Sequence, residues 1–402
     1  MSSIVETRAV EILRDPRFQL PRPWDGATPP LGEFLRVEFV GFCDLLGELE
    51  QLEGRFGRMI GYARAKAAEL GSRIVAAAGH LMAGHGVSDA RAEPLRASAR
   101  EELDHGLRVL GDVFLSTSRR HSGKVMRGGC WYRLRARPED RTRGEIFHVP
   151  FEKPQRHYRF STPNVPTLYL ANSVYLCWLE CGEPCLDDGE CYVARFEVSS
   201  QAEFLDLPCN HNAYLDPLVL ATQLPADIGD PRLLDSSPYR HDVAHELAEY
   251  LSIWPLLATV SLPRTDPADE PVQYLFPQLL MEWVRESKFV GVRYFTTKQD
   301  PPETSQDWSV NLAIPTRTTK NVGFCDVLAK LAPLTEPQCF DIVISVDPSR
   351  WKSHDAIDRR EERGGRLVLR RRGNRECYVD TVFGRMEYWL DRPKLDVRPV
   401  DL

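Results

Sequence analysis

Between Gly32 and Leu115 apolar residues recur at helical spacing. Leu35, Val37, Phe39, Val40, Cys43, Leu46, Leu49 and Leu52 form a first stripe, the alanine-rich run Ile60 to Leu81 a second, and Pro94 to Leu115 a third. Three antiparallel helices fit this pattern, and an all-α bundle is expected over residues 34–118. Ahead of it, Pro21, Pro23, Pro29 and Pro30 predict an extended, surface-lying arm over residues 1–33. The basic segment Ser118-Arg119-Arg120-His121-Ser122-Gly123-Lys124 breaks the periodicity and marks a boundary.

Past that boundary the pattern changes. Short β-like runs, Cys130 to Leu134, Thr167 to Ala171 and Tyr192 to Val198, alternate with helical stretches at Ser173 to Glu180 and His241 to Ile253. A further helix, Tyr274 to Ser287, leads to strands at Val290 to Phe295 and Ser309 to Ile314. The mixture predicts an α+β domain over 130–315. A C-terminal extension, 316–402, is expected to pack on it. There Leu367 and Leu369, then Tyr378, Val379, Val382 and Tyr388, flank Gly373-Asn374 and predict a hairpin.

Composition narrows the function classes. The 402-residue chain is 43% hydrophobic and 27% charged, which is enough to bury a core. Its net charge of −7, with basic residues scattered, provides no general footprint for nucleic acid. The apolar run Tyr250 to Leu262 contains Pro255 and is too short for a bilayer, and the first residues do not read as a secretory signal, so a cytoplasmic protein without membrane contact is expected. Ten cysteines then read as reduced thiols. Cys177, Cys181, Cys185 and Cys191 contain no C-x-x-C pair, which argues against a zinc ribbon and for small buried residues.

Four segments of the α+β region together resemble the RES-domain family. They are Trp131-Tyr132-Arg133; Arg159-Phe160-Ser161-Thr162-Pro163 with Leu168-Tyr169-Leu170-Ala171; Glu180, which closes its helix; and Gly291-Val292-Arg293-Tyr294-Phe295-Thr296 followed by Asn311-Leu312. Tyr169 lies ten positions after Arg159 and Glu180 eleven after Tyr169, as in the family. The sequence departs from the family pattern at Tyr158, where a glycine is usual, at Ser161, where an asparagine is usual, and at Thr296, where the family has serine. The resemblance covers about residues 130–315. It implies a fold like that of ADP-ribosyltransferase toxins, a helical HEPN/RES-type domain in front, and NAD as a substrate with no bound cofactor. The implied activity is cleavage of the nicotinamide–ribose bond, with ADP-ribose passing to phosphate or water and toxicity or defence through NAD depletion. An antitoxin or regulatory protein is an expected partner.

The residue types suit that chemistry. Cleavage passes through an oxocarbenium-like state, for which Glu180 offers a carboxylate. Arg133 and Arg159 offer bidentate, permanently charged donors for the pyrophosphate. Tyr169 offers a flat face for a ring, and Thr296 a neutral hydrogen bond. The candidate catalytic set is thus Glu180, Arg133 and Thr296, and the candidate NAD-binding set Arg133, Arg159 and Tyr169. Taken singly, each also reads as an ordinary residue: Arg133 as a surface cation, Tyr169 as core, Glu180 as a helix-end carboxylate.

Other constellations compete. His241, His245 and Glu249 fall at i, i+4 and i+8 along one helix face but lack the H-E-x-x-H pattern, so a solvated face is preferred and no metal is assigned. Arg100-Glu101-Glu102-Leu103-Asp104-His105 resembles the arginine and histidine of HEPN ribonucleases, and surface charge on an amphipathic helix explains it more cheaply. The alanine-rich helix suits packing within the bundle or across a two-fold homodimer. Cys130, after Gly128-Gly129, reads as a buried thiol, and P-loop, dinucleotide-binding glycine and G-x-S-x-G patterns are absent. ADP-ribosylation of a macromolecule, a HEPN-type ribonuclease and a non-catalytic interaction module are the alternative functions.

Overall fold

The computed structural model describes residues 12–24, 28–51, 55–111, 130–153, 157–161, 165–186, 190–207, 238–264, 271–298, 310–318, 320–344, 368–371, 374–392 and 395–401. The basic connector 118–124, Leu367, Gly373 and the side chains of His241 and His245 lie outside the described residues. In chain order the helices are α1 (Leu31–Glu50), α2 (Arg55–Gly84), α3 (Asp89–Leu110), α4 (Arg143–Ile146), α5 (Val174–Glu180), α6 (Pro238–Val260), α7 (Val272–Glu286), α8 (Asp326–Leu331), α9 (Asp341–Ile344) and α10 (Val382–Leu390). The strands are β1 (Cys130–Ala136), β2 (Thr167–Ala171), β3 (Cys191–Glu197), β4 (Phe204–Leu207), β5 (Gly291–Phe295), β6 (Val310–Pro315), β7 (Gln338–Cys339), β8 (Val368–Arg371) and β9 (Asn374–Cys377). The protein is mixed α+β and divides into two units. One comprises residues 1–120, 157–160 and 205–287, the other 121–156, 161–204 and 288–402.

The first unit is helical. In α2 the buried positions Ile60, Ala63, Ala67, Leu70, Ile74, Ala77 and Leu81 repeat every three or four residues, with Ala78 beside them, and the alanines permit close helix approach. At Gly71 a Cβ would meet the Phe39 ring at 2.9 Å, so α1 and α2 cross where a side chain is missing. Helices α6 and α7, expected in the α+β domain, belong to this unit instead. The reason is the burial of α6 over its described side chains, residues 247–260, where Leu247, Tyr250, Leu251, Ile253, Trp254, Leu256, Leu257 and Val260 are buried and Glu249 is half-buried. A stretch so largely buried needs other helices around it. Trp254 stacks on Phe42 at 4.1 Å and donates to the Phe18 carbonyl at 3.1 Å. Phe18 and Trp24 are themselves buried, so the proline-rich arm is anchored by its aromatics and does not merely lie on the surface.

The second unit holds six strands in the order β5-β6-β2-β1-β3-β7. Alternation divides its side chains cleanly. Trp131, Leu168, Leu170, Ala194, Phe196, Val310, Leu312 and Ile314 feed one core, and Tyr132, Leu134, Ala171, Cys191 and Val193 feed the other, beneath α5. The C-terminal segment contributes to both, Leu328 and Leu334 to the first and Phe340, Phe383, Met386 and Leu390 to the second. At Gly291 a Cβ would lie 2.4 Å from the Ala313 carbonyl oxygen, so β5 and β6 approach more closely than any side chain permits. The expected C-terminal hairpin exists as β8 and β9, paired from Val368↔Cys377 to Arg371↔Asn374, but it is shorter than expected. Beyond it Phe383, Met386, Glu387 and Leu390 are buried at helical spacing, and Thr381 caps the Gly384 N–H at 3.1 Å, so Val382 and Tyr388 lie on α10, not on a strand.

Candidate active site

The site is built around the loose seam of the sheet. Strand β1 pairs with β3 over seven residues but with β2 only at Tyr132↔Ala171. The two strands therefore fork beyond that pair. Arg133 sits at the fork, with Nη1 3.5 Å from the Tyr169 carbonyl oxygen, at the outer limit of a hydrogen bond. Alternation places Arg133 with Trp131 and Arg135, on the face away from α5, but its charge reaches past the fork. It acts on the Cys181 thiol, together with Lys298 and Glu180, and on His148.

Helix α5 positions Glu180. Ser173 caps its start, accepting from Leu176 N at 3.1 Å. Gly182, at φ +81°, ends it, and the Glu183 N–H returns to the Trp178 carbonyl at 3.0 Å, the pattern of a glycine-terminated helix. Every α5 side chain is buried except Glu180, which is 34% exposed. One carboxylate oxygen of Glu180 accepts from the Thr296 hydroxyl at 2.8 Å and from Asn311 Nδ2 at 2.9 Å. The other faces Lys298 Nζ at 3.8 Å. Lys298 also donates to the Glu180 and Leu179 carbonyls at 2.8 and 3.4 Å, and its backbone N–H donates to the Thr296 hydroxyl at 3.2 Å. A cation thus meets the last carbonyls of a helix C-terminus and steadies the carboxylate there.

Tyr169 pairs with Ala313 and Ala171 with Asn311, so Tyr169 and Asn311 are diagonal neighbours on the face that carries α5. The Tyr169 hydroxyl is 2.8 Å from the Ser161 hydroxyl, which orients the ring. Cys181 presents surface but turns its thiol inward to the Leu134 carbonyl at 3.4 Å, and desolvation raises its pKa. The thiol is poorly suited to act as a nucleophile.

The structure therefore brings Glu180, Thr296 and Tyr169 together on the face of the sheet that carries α5, while Arg133 projects from the other face at the fork. Arg159 has a different employment: it lies in the helical unit, where Nη1 donates to the Val260 and Leu262 carbonyls at 2.7 and 2.9 Å and the guanidinium covers the Tyr274 ring at 5.4 Å. It caps the end of α6. The neutral hydrogen bond of Thr296 goes to Glu180. Two residues were missed, Asn311 and Lys298. Asn311 had a signal, since it is the one polar residue in the buried strand Val310-Asn311-Leu312-Ala313-Ile314, where an amide needs a partner. Lys298 had none.

No family model matches the chain, and no solved structure does. It is similar to a protein of Bacillus subtilis (strain 168) named "Putative toxin YopC". The two are 26% identical over 307 residues, which is 73% of this chain and 64% of that protein, so the chain spans less than two thirds of its relative. Among the described residues no group of three or more His, Cys, Asp or Glu side chains could hold a metal, and no helix is long and apolar enough to cross a membrane. In the helical unit Arg100 is engaged in an ion pair with Glu286, while His105 is exposed.

Proposed function

We propose that this chain is a toxin-type enzyme, with a RES-like domain, that cleaves the nicotinamide–ribose bond of NAD and passes ADP-ribose to phosphate or water. The observation that carries the reading is Glu180: a one-third exposed carboxylate with one oxygen held by two neutral donors and the other turned toward Lys298. Two neutral hydrogen bonds fix one oxygen in place, and the partly exposed other oxygen, 3.8 Å from Lys298, is the one that would face a cation that develops nearby. The order of segments resembling a RES domain supports the same reading, as does the name of the Bacillus relative.

In the proposed reaction the C1″–N bond of the nicotinamide riboside breaks and its electron pair leaves with nicotinamide, which departs neutral and needs no proton. Glu180 stabilises the oxocarbenium-like ribose or orders its hydroxyls. Tyr169 offers the ring face, and Arg133, at the fork, the cation for pyrophosphate. A phosphate oxygen then bonds to C1″, or water does so and releases a proton. Incubation of the purified protein with NAD, with and without phosphate, tests this. Nicotinamide with ADP-ribose-1″-phosphate identifies phosphate as the acceptor, and nicotinamide with free ADP-ribose identifies water. ADP-ribose attached to a macromolecule would replace the proposed acceptor, and intact NAD would overturn the reading.

A further inference from the structure

The C-terminal helix α10 reaches the scaffold of this site with two carboxylates. Glu387, 2% exposed, accepts from the Val174 N–H, the first of α5, at 2.8 Å, and takes a short hydrogen bond from the Tyr378 hydroxyl. The Tyr378 oxygen in turn accepts from the Tyr175 N–H at 3.4 Å. Two of the orphan donors at the start of α5 are thus filled by groups more than 200 residues away in the chain. One turn beyond, Asp391 accepts from the Tyr132 hydroxyl of β1 at 3.1 Å and lies 3.8 Å from Arg195 of β3. Phe383, on the same helix, packs against the rings of Tyr175 and Trp178, each at 5.2 Å.

We propose that α10 is a brace that sets the separation of α5 from β1, and that Glu387 and Tyr378 are positioning residues for the group at the far end of α5. Helix α5 has seven residues and is too short to hold its place by itself. It spans about 10 Å, so a tilt of about 6° at its start displaces Glu180 by about 1 Å, and a misplacement of that size can cost about 100-fold in rate. The brace touches both elements that carry the site's charges, Glu180 on α5 and Arg133 on β1. Its kinetic consequence rests on the NAD-cleavage reading, while its mechanical consequence does not.

The test uses the full chain and three variants. Tyr378→Phe removes one hydroxyl, Glu387→Leu removes the cap, and Glu387→Gln restores an acceptor of the same size. Hydrogen exchange, read peptide by peptide, is expected to speed up about tenfold over residues 174–180 in the first two variants, with β6 unchanged. NAD cleavage is expected to lose about tenfold in kcat with KM altered less than twofold. Glu387→Gln is expected to recover most of both. Exchange at α5 that stays at the wild-type rate, or that rises equally in β6, overturns the brace. If the wild-type protein leaves NAD intact, the functional reading fails and the exchange pattern alone decides the brace.

Discussion

The two ends of α5 carry carboxylates in opposite electrostatic settings. At the N-terminus Glu387 is buried against the Val174 N–H and the positive end of the helix dipole, an arrangement that stabilises the fold. At the C-terminus Glu180 is partly exposed beside the negative end, which costs about 0.3 to 1 kcal/mol unless a cation intervenes. Lys298 intervenes, and Thr296 and Asn311 restrain one oxygen. A carboxylate where the dipole welcomes it needs no explanation beyond folding. One where the dipole opposes it, held by a purpose-built set of neighbours, reads as chemistry.

The largest expected effect breaks this contrast directly. Glu180→Gln keeps the volume and removes the charge, so nicotinamide release is expected to fall about 1000-fold, equivalent to about 4 kcal/mol of barrier. The unfolding midpoint is expected to stay level or rise slightly, because an unfavourable dipole contact is lost. Full activity in this variant would remove Glu180 from the reaction and leave the C-terminal carboxylate without a role.

Much of this contrast was legible in the sequence and part of it was not. Strand β2 and helix α5 follow from local pattern, Leu-Tyr-Leu-Ala alternating and Ser173 as a cap, so Tyr169 and Glu180 could be placed early. The allocation of α6 could not, because its apolar run suits any core, and only the packing of Trp254 on Phe42 shows which one it fills. The capping bonds of Arg159 are not legible for a related reason: an arginine that caps distant carbonyls looks the same in sequence as one that awaits phosphate. Glu387 was invisible, since its partner Val174 N–H is 213 residues away.

His148 sharpens the comparison by showing how this unit satisfies a buried polar group without charge. It is fully buried; Nδ1–H donates to the Val149 carbonyl and Nε2 accepts the Cys325 N–H, both at 2.8 Å. Burial lowers its pKa from 6.5 to about 4, and the nearby Arg133 charge acts in the same direction. The unfolded chain takes up the proton first, so stability is greatest above pH 6.5, falls as pH drops toward 4 and loses nothing further from this group below that. The loss across the window is about 3 kcal/mol. Denaturant unfolding at several pH values, compared with His148→Gln, checks it; an equal slope in both proteins would assign the dependence elsewhere.

A smaller effect is expected at Thr296, which tests whether the neutral donors matter. Thr296→Val keeps the branched shape and deletes the hydrogen bond to Glu180, while Asn311 still holds the same oxygen. The expected loss is about fivefold to tenfold in kcat, or about 1 kcal/mol, with Thr296→Ser close to wild type. Equal activity in the valine variant would leave Thr296 as a strand-end residue chosen for its shape.

The smallest effect concerns Arg159, which repeats at α6 what Lys298 does at α5, a cation on the carbonyls that end a helix. One guanidinium nitrogen serves both the Val260 and Leu262 oxygens, and an ammonium on a flexible stem could replace part of this but would lose the planar contact with Tyr274. Arg159→Lys is therefore expected to lower stability by about 1 kcal/mol and to leave KM for NAD within twofold. Arg133→Lys, at the fork, is expected to do the reverse, raising KM about tenfold with little change in stability. The pair separates a cation employed in capping from one held toward substrate. A tenfold rise in KM for Arg159→Lys, with unfolding unchanged, would return Arg159 to the pyrophosphate and show that its bonds to α6 give way when NAD binds.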